Sequence, residues 1–296
     1  MKTVTAAASA AIALFAFAGA AHAKGPEVEI RDAVARVVVI PEDRTDIAVE
    51  VVRGSNAELP AITIERTGSG KVRIHGNLKR RIRGCDSRSD GAAPAAGSPL
   101  DSLSGVTVRV RGIGEVQMSA APVITIRTPK AVNVDAGGAV FGWVGRADSV
   151  DLGNAGCGDW VVADSTGAVH LSQAGSGDTR AGRSSSLSIS VAGSGDIQAG
   201  STGNLEASIA GSGDVVVASV RGSVEASIAG SGNVTVNGGA VTSVDASIAG
   251  SGDIDIKTSA QSVDASIMGS GDINVRSVSG KVDKSVMGSG SINVGG

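Results

Sequence analysis

The sequence predicts an all-β protein: a single-stranded parallel β-helix, or β-solenoid, with coils of about 19 residues. The first of three supporting observations is a repeated turn. A-G-S-G-D stands at 174–178, 192–196, 210–214 and 249–253, and its variants are A-G-C-G-D at 155–159, A-G-S-G-N at 229–233, M-G-S-G-D at 268–272 and M-G-S-G-S at 287–291. The last residues of these turns are 19, 18, 18, 19, 20, 19 and 19 positions apart. A fixed period of this size marks one supersecondary unit repeated, and each unit buries its apolar side only by stacking on its neighbours.

The second observation is strand-like alternation around the turn. Val150, Val169, Leu187, Leu205, Val224, Val244, Val263 and Val282 align in one column, and Ile209, Ile228, Ile248 and Ile267 in another. Between them stand acidic residues and Ser172, Ser190, Ser208, Ser227, Ser247, Ser266 and Ser285. A period of two sends these sets to opposite faces, so each coil reads as strand, G-S-G-D turn, strand and looser turn. The third observation is composition. After residue 23 the only aromatic residues are Phe141, Trp143 and Trp160, too few for a sandwich or barrel core but sufficient for a thin solenoid.

Residues 1–23 combine Lys2, an apolar stretch from Ala6 to Ala20, and Ala21-His22-Ala23. This is the pattern of a secretory signal peptide with an A-x-A cleavage site, so the mature chain is expected to begin at Lys24. The apolar run falls short of the roughly 20 residues that span a bilayer, and no later segment reaches that length. The mature chain is therefore expected to have no transmembrane segment and to be exported to the periplasm, the cell surface or the medium. Cleavage removes Lys2 and leaves 25 bases against 29 acids, a formal charge of −4. That is too mild to imply nucleic acid as a partner.

Residues 24–84 read as short strands separated by P-E-D-R, G-S-N and T-G-S-G, the first coils of the same domain. Residues 85–104 read as a polar loop or linker, and 105–296 as the repeat solenoid. Gly is expected to supply positive φ at the turns, and right-handed winding follows from the usual hand of parallel connections. In the last unit the inward Ala column (Ala207, Ala226, Ala246, Ala265) becomes Lys284, which predicts that stacking ends there.

On these residues the chain resembles the bacterial DUF2807 family of putative auto-transporter adhesin head GIN domains. The likeness runs through E-V-E-I-R-D-A-V-A-R-V-V-V-I-P at 27–41, V-R-V-R-G-I-G-E-V at 108–116 and the G-S-G-D rungs. The resemblance implies a single-stranded β-helix in the envelope or outside the cell, and adhesion. No aromatic-girdled strands of a translocating barrel are present up to Gly296, so self-export is not expected.

The recurring Asp159, Asp178, Asp196, Asp214, Asp253 and Asp272 have two readings. Stacked carboxylates repel by about 1 kcal/mol per pair even in water, so something must offset them. Turn capping by backbone N–H groups is favoured, because Asn233 and Ser291 keep the acceptor and lose the charge. Ca²⁺ at Asp178, Asp196, Asp214, Asp253 and Asp272 is the alternative; the G-G-x-G-x-D form of calcium-binding repeats is absent. A second, outward column of Glu206, Glu225, Asp245, Asp264 and Asp283 is a solvated face or a glycan- or cation-binding face. It is too uniform for a catalytic site, which breaks a repeat with unlike residues.

His75 and His170 have no motif around them, so no Ser-His-Asp or zinc site is expected. Cys85 and Cys157 are expected to form a disulfide in an oxidising compartment. Lys79, Arg80, Arg81, Arg83 and Arg88 make a basic cluster nearby. The functional expectation is a non-catalytic structural or adhesion-type envelope or surface module with a glycan or protein partner. A calcium- or polysaccharide-binding envelope protein is the alternative.

Overall fold

The computed structural model describes residues 26–68, 70–86, 103 and 105–295. The expected signal peptide, most of the 85–104 loop and Arg88 lie outside the described residues. The strands are β1 (Val28–Glu42), β2 (Ala48–Val52), β3 (Thr63–Arg66), β4 (Val72–His75), β5 (Ile82–Asp86), β6 (Thr107–Val110), β7 (Gly114–Gln117), β8 (Val123–Pro129) and β9 (Ala131–Val144). They continue with β10 (Ser149–Gly156), β11 (Trp160–Val162), β12 (Ala168–Gln173), β13 (Thr179–Ala181), β14 (Ser186–Val191), β15 (Ile197–Thr202), β16 (Asn204–Ile209) and β17 (Val215–Val220). The last are β18 (Ser223–Gly230), β19 (Val234–Val236), β20 (Val241–Gly250), β21 (Ile254–Gly269), β22 (Ile273–Val278), β23 (Val282–Gly288) and β24 (Ile292–Val294).

The chain winds as a parallel β-solenoid of about 9 turns with rungs of about 19 residues. One flank stacks β10, β12, β14, β16, β18, β20, the second half of β21 and β23 in register, so that Ala226 pairs with Ala246 and Ala246 with Ala265. The opposite flank stacks β11, β13, β15, β17, β19, the start of β21, β22 and β24. Between the flanks runs one continuous core of Val, Ile, Leu and Ala, almost wholly buried. The small Ala column beside the larger Val and Ile columns keeps the flanks close, so aliphatic side chains fill the interior with few rings.

Two glycines in each G-S-G turn face the carbonyl of the same turn one rung earlier. A Cβ on Gly175 would lie 2.0 Å from the Gly156 oxygen, and one on Gly232 would lie 2.2 Å from the Gly213 oxygen. Positive φ is confined to part of one column, from 138° to 159° at Gly211, Gly230, Gly250, Gly269 and Gly288. Close approach between rungs, more than the expected positive φ, is what demands glycine here.

The N-terminal end is built differently. β1 lies parallel on β9, with a bulge at Arg31 and Asp32, and on its other edge β4 pairs parallel with Val28–Arg31 and β8 with Arg36–Glu42. β2 and β3 add antiparallel to β8 and β4. Glu29 sits nearly buried here among Lys71, Arg73 and Arg31. Burial works to raise its pKa, but hydrogen bonds from Lys71 and Arg31 outweigh that and hold it below the ordinary value.

A separate antiparallel sheet, β5-β6-β7, caps the outer corner of the first coils. Val108, Val110, Val116, Met118 and Leu78 pack on Val34, Ala139 and Phe141, which point outward from β1 and β9. Cys85 of β5 is disulfide-bonded to Cys157, with Cα atoms 5.6 Å apart, and ties this cap to the first G-C-G-D turn. At the other end, Lys284 replaces the Ala column and its Nζ donates to the Ile292 carbonyl at 3.0 Å, across the last described coil.

Candidate functional site

The repeated Asp residues form a ladder. Asp159 Oδ1 accepts the backbone N–H of Asp178 at 2.9 Å, Asp178 that of Asp196, and Asp196 that of Asp214. Asp214 accepts both the N–H and the side-chain amide of Asn233, and Asn233 accepts the N–H of Asp253. Asp253 accepts from Asp272, and Asp272 from both the N–H and the hydroxyl of Ser291. Each side chain thus supplies the acceptor for a donor one rung further on, which a parallel turn otherwise leaves open.

The electrostatics change along this ladder. Asp159, partly buried, has its carboxyl pushed up to about 6, chiefly by burial and further by the Asp178 charge. Burial and its two Asp neighbours also raise Asp196, while the hydrogen bonds from Ser291 lower Asp272 at the exposed end. Asn233 interrupts the row of charges between Asp214 and Asp253. Among the described residues no three His, Cys, Asp or Glu side chains converge as a metal site. The ladder oxygens are instead directed at backbone donors.

The outward face of the first flank carries three parallel columns. Glu206, Glu225, Asp245, Asp264 and Asp283 stack in register, next to Ser208, Ser227, Ser247, Ser266 and Ser285. The third column is Ala229, Ala249, Met268 and Met287, in which the two Met side chains are 62% and 70% exposed. Burial first, and then the neighbouring Glu206 and Asp245, raise the pKa of Glu225. The ion pair formed by this column is Lys281 with Asp283, at its end. The surface is flat, ordered by its backbone ladder and electronegative.

His170 Nε2 lies 3.3 Å from Ser172 Oγ, both on this face and neighbours by alternation. No third group hydrogen-bonds the ring among the described residues, and the pair stands on an open strand, so it lacks the arrangement of a catalytic triad. His75 approaches Glu65 at 3.8 Å on the N-terminal sheet, far in sequence from any nucleophile–base pair. A shallow concavity of about 640 Å³ at the last coils is lined by Asp255, Lys257, Asn274, Arg276, Lys284 and Asn293 among others.

The interior also holds polar residues at positions that the apolar columns fill in later rungs. The Ile209 column begins with Asn154 and Gln173, both buried. Asn154 Nδ2 donates to the Gly158 carbonyl at 2.8 Å, Gln173 Nε2 donates to the Gly177 carbonyl, and Thr179 Oγ1 donates to Gln173 Oε1 at 3.2 Å. The signal was present in the sequence: five residues before the turn's end, the first two units carry amides where later units carry Val or Ile. Trp160, the residue after the first of these turns, fills the core opposite, and its Nε1 has no partner among the described residues.

The family model described as putative auto-transporter adhesin, head GIN domain, matches residues 101–220 and 220–296. Among solved structures, a putative lipid binding protein from Parabacteroides distasonis is 19% identical, with a TM-score of 0.50 and coverage of 92% of this chain and 93% of that one. A putative adhesin from Parabacteroides merdae is 17% identical, with a TM-score of 0.51 over 92% and 93%. A putative adhesin from Parabacteroides distasonis is 16% identical, with a TM-score of 0.50 over 93% and 94%. At these identities the likeness is one of fold. No curated protein matches the chain. The match over the repeats, with the coil period and stacked turns already described, places the chain in the DUF2807 family of putative auto-transporter adhesin head GIN domains.

Proposed function

We propose that this chain is an exported, non-catalytic structural or adhesion-type module of the cell envelope or surface, which makes contact through the outward face of its first flank. The observation that supports this reading is the unbroken triple column of acid, Ser and Ala or Met over the rungs from Glu206 to Met287. Catalysis needs unlike groups converging on one reacting atom, whereas this face repeats one weak contact at the spacing of parallel strands, about 4.8 Å. Weak contacts repeated on a rigid support add through effective concentration. A disulfide between Cys85 and Cys157 suits an oxidising, extracytoplasmic location.

The test is adhesion of bead-coupled mature protein to envelope glycans and proteins, comparing it with Glu206→Arg/Glu225→Arg/Asp245→Arg. Loss of adhesion by this charge-reversed but folded flank is the expected result. Equal adhesion by both proteins removes the flank from the function.

A further inference from the structure

The cap carries a charge opposite to that of the rest of the molecule. Among the described residues, 78–86 and 105–117 hold six bases and two acids, while the others hold 17 bases and 25 acids. The strand pairing gathers these six bases. The short 3-10 turn Lys79–Arg81 runs straight into β5, and Arg81 joins Arg111 twice, accepting its N–H at 2.8 Å and donating Nε to its carbonyl at 3.0 Å. Arg83 sits at the register shift where Gly84 meets Arg109. Asp86 pairs with Arg109 at 3.2 Å, and Glu115 stands opposite Arg109 across β6-β7. Among the described residues Lys79, Arg80, Arg83 and Arg111 are exposed and form no ion pair with an acid.

We propose that this cap is an attachment site for an anionic polysaccharide, one bearing carboxylate, sulfate or phosphate-ester groups along its chain. Three features point to that ligand class. Guanidinium forks match planar or tetrahedral oxyanions, and arginine outnumbers lysine in the cluster. The support is rigid, because the cap sheet is packed on Phe141 and Val34 and bonded through Cys85–Cys157. The acidic flank repels a polyanion and so directs it to the cap. An inserted membrane surface fits less well, since among the described residues the large exposed apolar side chains, Val52, Ile64, Met268, Val282, Val286 and Met287, all lie away from the cap strands. This site is separate from the flank and stands or falls independently of the role proposed for it.

The experiment uses the oxidised mature chain in titrations with heparin, polygalacturonate and neutral dextran. Binding to both anionic polymers, none to dextran, and weakening as salt rises from ~50 to ~500 mM are expected. Arg80→Ser/Arg83→Ser/Arg111→Ser should lose about tenfold or more in affinity, while the same three positions as Lys retain binding within a few-fold. Unchanged binding by the Ser variant overturns the proposal, as does a loss of binding matched by a lowered melting midpoint of that variant, which would indicate a damaged fold. Binding to phosphatidylglycerol vesicles with none to either polymer overturns it in favour of a lipid surface. Salt-sensitive self-association abolished by the Ser variant, with no polymer binding, overturns it in favour of a second copy docking on the acidic flank.

Discussion

Asp159 offers a direct measurement of what the ladder costs and gains. Its carboxyl is pushed from 3.8 to about 6, chiefly by burial, so the folded state binds a proton that the unfolded chain releases. The contribution of this group is fully present below pH ~4 and is lost as pH rises through ~6. Roughly two pK units correspond to ~3 kcal/mol of stability forgone at pH 7. Asp159→Asn keeps the Oδ1 that accepts the Asp178 N–H at 2.9 Å and removes the charge, as Asn233 does naturally further along. At pH 7 the variant should be more stable by about 1–3 kcal/mol, the lower figure applying if its amide NH₂ lacks a buried acceptor. At pH 4 the two proteins should nearly coincide. Urea denaturation across pH 4–8 gives the global value, and exchange of the Asp178 amide gives the local one, because stacked repeats open in parts. No gain at pH 7, or a gain that does not change with pH, refutes the claim that burial dominates this carboxylate.

Three further outcomes follow from packing and bonding. Gly142→Ala places a Cβ 2.3 Å from the Trp160 ring, so it should cost about 1–3 kcal/mol, and the addition of Trp160→Leu should recover part of that; melting midpoints of the single and double variants decide. Cys157→Ser opens a link between residues 72 positions apart, worth ~4 kcal/mol in the chain-entropy model. Hydrogen exchange should rise first in β5, β6 and β7 and leave β20–β22 unchanged. Excess Ca²⁺ or a chelator should leave the melting midpoint where it is, because the ladder oxygens already serve backbone donors; a rise with Ca²⁺ would restore the metal reading of Asp178, Asp196, Asp214, Asp253 and Asp272.

The repeat portion of the fold is legible in the sequence because parallel stacking superposes like positions, and superposition forces columns. The N-terminal end has no such period. One coil is assembled from β4 and β8, 48 positions apart from His75 to Val123 with the cap strands in between, and closed by antiparallel β2 and β3. Pairing of that kind leaves no repeat to read. The cap's docking site did leave a trace. Ala33-Val34-Ala35 and Ala139-Val140-Phe141 are buried at every position, which breaks alternation and marks strands covered on both faces. Arg109 and Arg111 escaped the basic cluster because they lie far along the chain from Arg81 and join it only through the β5-β6 pairing.

The turn motif that dominates the sequence is occupied by architecture. Both glycines are held by clearance against a carbonyl one rung back, and each Asp, Asn or Ser at the end of a turn is engaged with a neighbouring backbone N–H or supplies one. Chemistry available to a partner is therefore displaced to positions that stacking does not constrain. These are the outward columns, where a substitution leaves the ladder intact, and the cap, which interrupts the repeat altogether. The two carry opposite charge, so a charged partner that meets this solenoid is sorted by sign before any close contact forms: anions toward the cap, cations toward the flank.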